Sequence, residues 1–198
     1  HTRLQGDWSS DVCSSDLSSY KDSYENLISA YLKGHLGMHY TTPYLDESQI
    51  NDVVQGHDNK GQPVPFANLS GFYFGPTMNS TINDMLIYIE ANLKLNDRAL
   101  GLTHQLTYGK DDGFGMGLGW MINRDERGVR YFYHDGNTKI GYNTLCVLYP
   151  TDDYGIVIMV NDTIDQRKVS ELENDIRHQL LLYNRRQVQP SSSAEKKD

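Results

Sequence analysis

The sequence predicts an α+β fold, an antiparallel sheet flanked by helices. Two observations carry this. Beyond residue 117, four β-rich runs follow one another with only short turn signals between them, the mark of an antiparallel meander. Around them, apolar residues recur at helical spacing in three segments.

The first helical segment runs from Tyr20 to Leu36, with Tyr24, Leu27, Ile28, Tyr31 and Leu32 on one stripe. Gly34 and Gly37 stand near its end, where glycine can take the left-handed cap conformation. Residues 40–79 are loop-rich, punctuated by Pro43, Gly56, Gly61, Pro63, Pro65, Gly71 and Pro76. A second helix is expected from Ile82 to Leu95, capped by Ser80 or Thr81 and favoured by Asp84 in its first turn. The strand runs are "GLGWMINRD", "GVRYFYHDG", "YNTLCVLYP" and "YGIVIMVND". Turn signals separate them at Arg124–Gly128, Gly136–Gly141 and Pro150–Gly155. "GIVIMV" is apolar at consecutive positions, so this strand should be covered on both faces. A last helix spans Gln166–Tyr183, with Val169, Leu172, Ile176, Leu180 and Tyr183 on one stripe. "QPSSSAEKKD" reads as a polar, disordered tail.

The chain has 198 residues, which fits one domain or the larger part of one, and 38% of them are hydrophobic, enough for a core. A net charge of −8 argues against a nucleic-acid partner or a polybasic membrane role. No apolar run approaches the roughly 18 residues of a membrane span. The opening residues are polar rather than leader-like. Asp7–Leu17, "DWSSDVCSSDL", resembles the conceptual translation of a sequencing-adapter oligonucleotide over eleven consecutive residues. It is read as an artefact of assembly, with a Ser/Asp-rich disordered tail as the alternative. Cys13 falls inside it. Cys146 sits in an apolar strand, where a buried inert thiol is expected, and no disulfide is expected.

Chemistry-bearing residues gather between two strand-like runs, at His134, Asp135 and Gly136. Taken alone, "HDGNT" reads as a polar hairpin turn. Other candidates are weaker. "HLGMH" places His35 and His39 four apart, but it lacks a glutamate and a third ligand, and Gly37 interrupts it, so no metal is assigned. "GFGMGLG" lacks the strand-then-helix context of a nucleotide loop and reads as a tightly packed strand entry. The aromatics of "VRYFYH" alternate as in a half-buried strand, so packing is their default role. His57, His104 and His178 read as surface residues.

Four stretches in order carry a resemblance. They are "SYENLISAYLKGHLGMHYT" (Ser23–Thr41), "GFYFGPTMNSTINDMLIYIEANL" (Gly71–Leu93), "GLGWMI", and "HDGNTKIGYNTLCVLYPTDDYGIVIMVND". Together they are similar to the penicillin-binding, class C β-lactamase-related serine hydrolases, with His35 where that family usually has proline. The ordered set covers roughly residues 20–183 and corresponds to the C-terminal part of such an enzyme. The resemblance implies an incomplete β-lactamase/transpeptidase-like fold whose chemistry uses three elements. These are a Ser-x-x-Lys opening a helix, a Tyr-x-Asn, and a Lys-x-Gly or His-x-Gly on a strand. It assigns His134 as the polar group of the third element and Gly136 as the residue that lets substrate approach the backbone. Asn137 then supplies an oxyanion-stabilising N–H. With the flanking matches, this reading outweighs the plain hairpin.

The first two elements are not evident. Ser-x-x-Lys occurs at Ser18–Lys21 and Ser193–Lys196, about as often as chance allows. One match abuts the adapter-like stretch and the other lies in the tail. "YEN" at Tyr24–Asn26 mimics Tyr-x-Asn, but Tyr24 fits better as an ordinary helix aromatic. The expected organisation is therefore residues 1–17 as artefact or disorder, 18–186 as the C-terminal part of a β-lactamase-like domain, and 187–198 as tail. The family also implies that upstream strands pair beside "YGIVIMVND", an export address to the periplasm or cell surface, no cofactor, and a small-molecule or peptide substrate. Two rivals stand beside this: a non-catalytic domain binding peptidoglycan-type ligands or a protein partner, and an unrelated small α+β binding domain.

Overall fold

The computed structural model describes residues 22, 24–66, 78–138 and 141–188. The adapter-like stretch, both Ser-x-x-Lys matches, the Tyr24 side chain and the polar tail lie outside them.

Among the described residues, six strands form one antiparallel sheet in the order of the chain: β1 (Tyr108–Gly109), β2 (Gly115–Met116), β3 (Met121–Arg124), β4 (Arg130–Thr138), β5 (Tyr142–Tyr149) and β6 (Tyr154–Val160). The four expected strands are β3 to β6. The short β1 and β2 were not anticipated, because two-residue ladders rich in glycine carry no alternating pattern. β4 runs further than its turn signal suggests. Gly136 pairs with Thr144 and Thr138 with Tyr142, so His134–Thr138 is strand rather than hairpin loop.

Helices lie on both faces. α1 (Tyr24–Ser29) continues as a π-helical turn, Ala30–His35, and α2 is the single turn Glu47–Ile50. α3 (Ile82–Lys94) has Thr81 as its N-cap, accepting from the Asp84 N–H, and Leu95 in the left-handed conformation at its end. α4 (Arg98–Thr103) is a short helix capped by Asp97. α5 (Gln166–Val188) extends past the expected Tyr183.

The pleat sends alternate residues to opposite faces. Toward α3 lie Trp120, Ile122, Phe132, Cys146 and Leu148, closed by Ile89 and flanked by Met85, Tyr88 and Val157. Toward α5 lie Leu145, Val147, Tyr149, Ile156 and Ile158, closed by Val169. β6 is thus covered from both sides along most of its length. At its far end Met159 remains 42% exposed.

Candidate active site

β3 is shorter than β4, and this difference creates the site. The last rung between them is Met121 with Tyr133, so His134–Thr138 pairs on one side only, with β5. Gly119 explains the divergence. Its φ of 77° lies in the left-handed region, and it turns the chain away just before β3 begins. Gly117 is equally constrained, since a Cβ there would come within 2.2 Å of the Thr103 carbonyl oxygen. The glycine-rich "GFGMGLG" is indeed a strand entry packed against α4.

The direction of the open backbone groups follows from the ladder. The Asp125 N–H donates to the Val129 carbonyl, so odd-numbered residues of β4 aim their N–H and C=O toward β3. Register is unbroken from there to Thr138. Beyond Tyr133, Asp135 and Asn137 therefore present their backbone groups to an edge that no strand occupies among the described residues. Side chains alternate the other way. His134 lies on the α3 face above Phe132, and Asp135 and Asn137 lie on the α5 face. There the Asn137 amide donates a long bond, 3.4 Å, to the Ile164 carbonyl. Gly136 is tight against β5: an added Cβ would stand 2.9 Å from the Thr144 hydroxyl.

His134 opens onto a cleft of about 450 Å³ between the sheet, α1, α3 and the Met38–Thr41 segment. Its lining is mainly apolar, with Met38, Met78, Leu118, Trp120 and Met159, and it carries the hydroxyls of Thr41 and Ser80. Burial pushes the Cys146 thiol in its floor up to about 12, so that sulfur stays protonated and inert.

The hydrogen-bonded cluster behind the Thr41 and Ser80 part of the cleft lining was not legible in the sequence. Asp84 is buried at the start of α3, and one of its carboxylate oxygens accepts from the Tyr40 N–H at 2.7 Å and from the Thr41 hydroxyl at 2.8 Å. Ser80 joins them, 2.8 Å from the Thr41 oxygen. This cluster staples the chain after α1 to the N-terminus of α3. His104 corrects the surface reading given to it. It is 7% exposed, stacks on Phe132 at 4.4 Å and sits edge-on to Trp120, with Nε2 3.0 Å from the side-chain amide oxygen (Oδ1) of Asn92. Burial holds its pKa below the ordinary imidazole value, which keeps it neutral. His57 is half-buried, and its backbone bridges Asn161 and Thr163 beyond the end of β6. His35 takes Asp97 as its partner, at 3.1 Å, and Asp97 also accepts from the Tyr31 hydroxyl at 2.9 Å.

A family model described as beta-lactamase matches residues 17–180. The chain belongs to the beta-lactamase family. Solved structures agree in fold. One is a beta-lactamase/D-alanine carboxypeptidase from Pseudomonas syringae: TM-score 0.69, 18% identity, with 82% of this chain and 55% of that one covered. A second is a class C beta lactamase from Rhodobacter sphaeroides: TM-score 0.70, 14% identity, with coverage of 83% and 56%. A third is a D-alanine carboxypeptidase from Burkholderia cenocepacia: TM-score 0.65, 17% identity, with coverage of 75% and 53%. This beta-lactamase-family chain thus spans about half the length of the structures it matches. None of the curated proteins it was compared with matches it. Among the described residues, no helix is long and apolar enough to cross a membrane.

Proposed function

We propose that this chain supplies the oxyanion-side wall of a serine hydrolase that works through an acyl-enzyme. The observation that carries the reading is the open edge of β4, where the Asn137 N–H faces a side that no strand occupies among the described residues, next to His134 and the cleft it lines. In the intact protein, a serine hydroxyl attacks a substrate carbonyl and the carbonyl oxygen gains negative charge. A fixed N–H aimed at that oxygen stabilises the transition state more than the ground state. Asn137 is that donor. Gly136, without a side chain, lets the substrate lie close to the strand, and His134 offers a polar contact from the cleft side. The acyl group then leaves to water or another acceptor. Beta-lactams, D-amino-acid peptides and small esters all offer such a carbonyl. By analogy with the family, the intact protein acts in the periplasm or at the cell surface.

No Ser-x-x-Lys or Tyr-x-Asn with an assigned role falls among the described residues. We therefore expect the chain by itself to be inert toward acylation. Treatment with a fluorophosphonate or penicillin probe, followed by intact-mass measurement, should show no adduct; stoichiometric labelling of any serine would overturn this. The same absence favours a second reading, a non-catalytic domain that binds peptidoglycan-type ligands. The contiguous gene decides between them: an upstream Ser-x-x-Lys supports the enzyme, and a substituted one supports the binder.

A further inference from the structure

We propose that the cleft beside His134 binds one monovalent soft cation, Cu(I), held by His134, Cys146 and Met159. The inference is separate from the acyl reading and stands or falls without it. Its first support is where the sulfur lies. The chain has 6 methionines and 2 cysteines. Met38, Met78, Met85 and Met159 all line this one cleft, together with Cys146. Methionine often fills gaps in a core, and that explains Met85, packed against the Ile89–Trp120 cluster. It does not explain Met78 and Met159, which line the cleft while each stays 42% exposed.

The ladder brings three kinds of donor to one face. His134 and Cys146 are directly opposed across β4 and β5, and Thr144 is opposed to Met159 across β5 and β6. Cys146 and Thr144 are two apart on β5, so Met159 is the diagonal neighbour of Cys146. Opposed residues of a ladder have Cβ atoms about 5 Å apart and diagonal ones about 7 Å, within reach of long side chains. An imidazole, a thiol and a flexible thioether arm can close both gaps onto an ion between them. All three side chains line the cleft.

Charge and softness select the ion. Thioether and thiolate sulfur favour Cu(I), and imidazole is a good copper ligand as well. On binding, Cu(I) takes the place of the Cys146 proton: the S–H bond breaks, a Cu–S bond forms and the proton leaves to water. No oxidation state changes. The product pairs one positive ion with one thiolate. It adds no net charge to a cleft whose lining among the described residues holds no lysine, arginine or carboxylate. Zn2+ would leave one positive charge unbalanced there. It would also find one imidazole and one thiol where a structural zinc site takes four such ligands. Among the described residues, no three His, Cys, Asp or Glu side chains gather to hold such an ion. Burial keeps the Cys146 thiol protonated and inert as a nucleophile. That weakens metal binding without altering the choice of ion.

Competition for Cu(I) tests this. The chain carries Cys13→Ser throughout, which leaves Cys146 as its one thiol. Cu(I) is offered as its coloured bicinchoninate complex, and the loss of colour counts the ions taken up. One Cu(I) per chain is expected. His134→Gln and Met159→Leu should each weaken binding by at least about tenfold, the cost of losing even a partner that only supports a ligand. Met159→Leu nearly conserves volume, so its effect reads the sulfur. Cys146→Ser should abolish uptake, and Met116→Leu, outside the cleft, should leave it unchanged. X-ray absorption at the copper edge should show both sulfur and nitrogen neighbours. Circular dichroism checks that each variant keeps its fold. Should the buried Cys146→Ser fail to fold, His134→Gln and Met159→Leu, at exposed positions, decide alone. Three results would each overturn the proposal: no uptake, uptake unchanged by both His134→Gln and Met159→Leu, which marks a lone thiol, or Zn2+ held as tightly as Cu(I).

Discussion

At the scale of single residues, His104 shows how one buried side chain organises the ground beneath the site. It stacks on Phe132, two positions before His134 on the same face of β4, and touches Trp120 beside the cleft. Its neutrality has a pH signature. The unfolded chain protonates this imidazole at its ordinary pKa and the folded chain resists, because burial holds the folded value lower. Stability should be flat above about pH 6.5 and fall as pH drops below it, since the unfolded state then binds more protons. Urea titrations between pH 8 and 5 check this. His104→Gln should lower stability at pH 8 by about 1–3 kcal/mol through lost stacking and packing, yet remove the slope below pH 6.5. A slope unchanged in the variant would assign the acid sensitivity to another group. Nothing in "GLTHQLT" marks this histidine in the sequence, because its partners Asn92, Trp120 and Phe132 come from three other segments. The place of His134 on a strand was legible by contrast, because its neighbours along β4 are also its neighbours in sequence.

At the scale of elements, the long pattern-bearing pieces could be read and the short ones could not. α3 starts at its expected cap. α5 forms as expected, but of its apolar stripe only Val169 is buried and Ile176 half-buried; Leu172, Leu180 and Tyr183 stay exposed, and Glu173 and Arg177 are buried on the inner face instead. β1, β2, α2 and α4 are two to six residues long and exist through tertiary contact. The extent of β4 was missed for a related reason. "HDG" carries turn chemistry, and only pairing with β5 overrides it. On the opposite face, α5 is held to the β3–β4 hairpin by ions. Arg177 reaches Asp125 at 3.2 Å and Glu126 at 2.7 Å, and its guanidinium lies over the Tyr149 ring. Burial would push the Asp125 carboxyl up, but bonds from the Val129 N–H and from Arg127 outweigh it and hold the group below the usual carboxylate range. Glu173 differs. Burial raises its pKa despite the 2.9 Å bond from the Tyr149 hydroxyl and the nearby Arg177. A raised carboxylate costs stability when ionised, and the cost vanishes as pH falls through its folded value toward the ordinary one. Glu173→Gln keeps an acceptor for Tyr149 and removes the buried charge. It should therefore stabilise the chain by about 1 kcal/mol at pH 7.5 and leave it unchanged near pH 4. Guanidinium melts at the two pH values decide; destabilisation at pH 7.5 would mean that Arg177 uses Glu173 as a needed counter-ion.

At the scale of the whole molecule, the two sheet edges differ in kind. β1 is two residues long, and a short edge is a poor template for pairing. β6 is seven residues without a charge. Its outer groups can be assigned, because His57 takes the Asn161 carbonyl and offers its own to the Thr163 N–H. By alternation, Gly155, Val157 and Met159 point their N–H and C=O outward, and no strand pairs with them among the described residues. The helix beside this edge adds to the exposure. On α3, Tyr88 faces Trp120, and Ile82 and Leu86 lie on the flank turned the other way, 45% and 51% exposed. An open apolar edge with an apolar helix flank beside it is an aggregation template. The chain should therefore self-associate as concentration rises, seen by light scattering after size-exclusion chromatography. Met159→Lys places a charge on that edge at a side chain already part-exposed. It should shift the population toward monomer while moving the unfolding midpoint little, since surface changes are usually within about 0.5 kcal/mol. Leu86→Lys, on the helix flank, should do the same by a smaller margin, because it leaves the backbone edge open. A monodisperse, cooperatively melting monomer for the unaltered chain would mean that β6 is covered by residues outside those described, and the edge argument would fall with it.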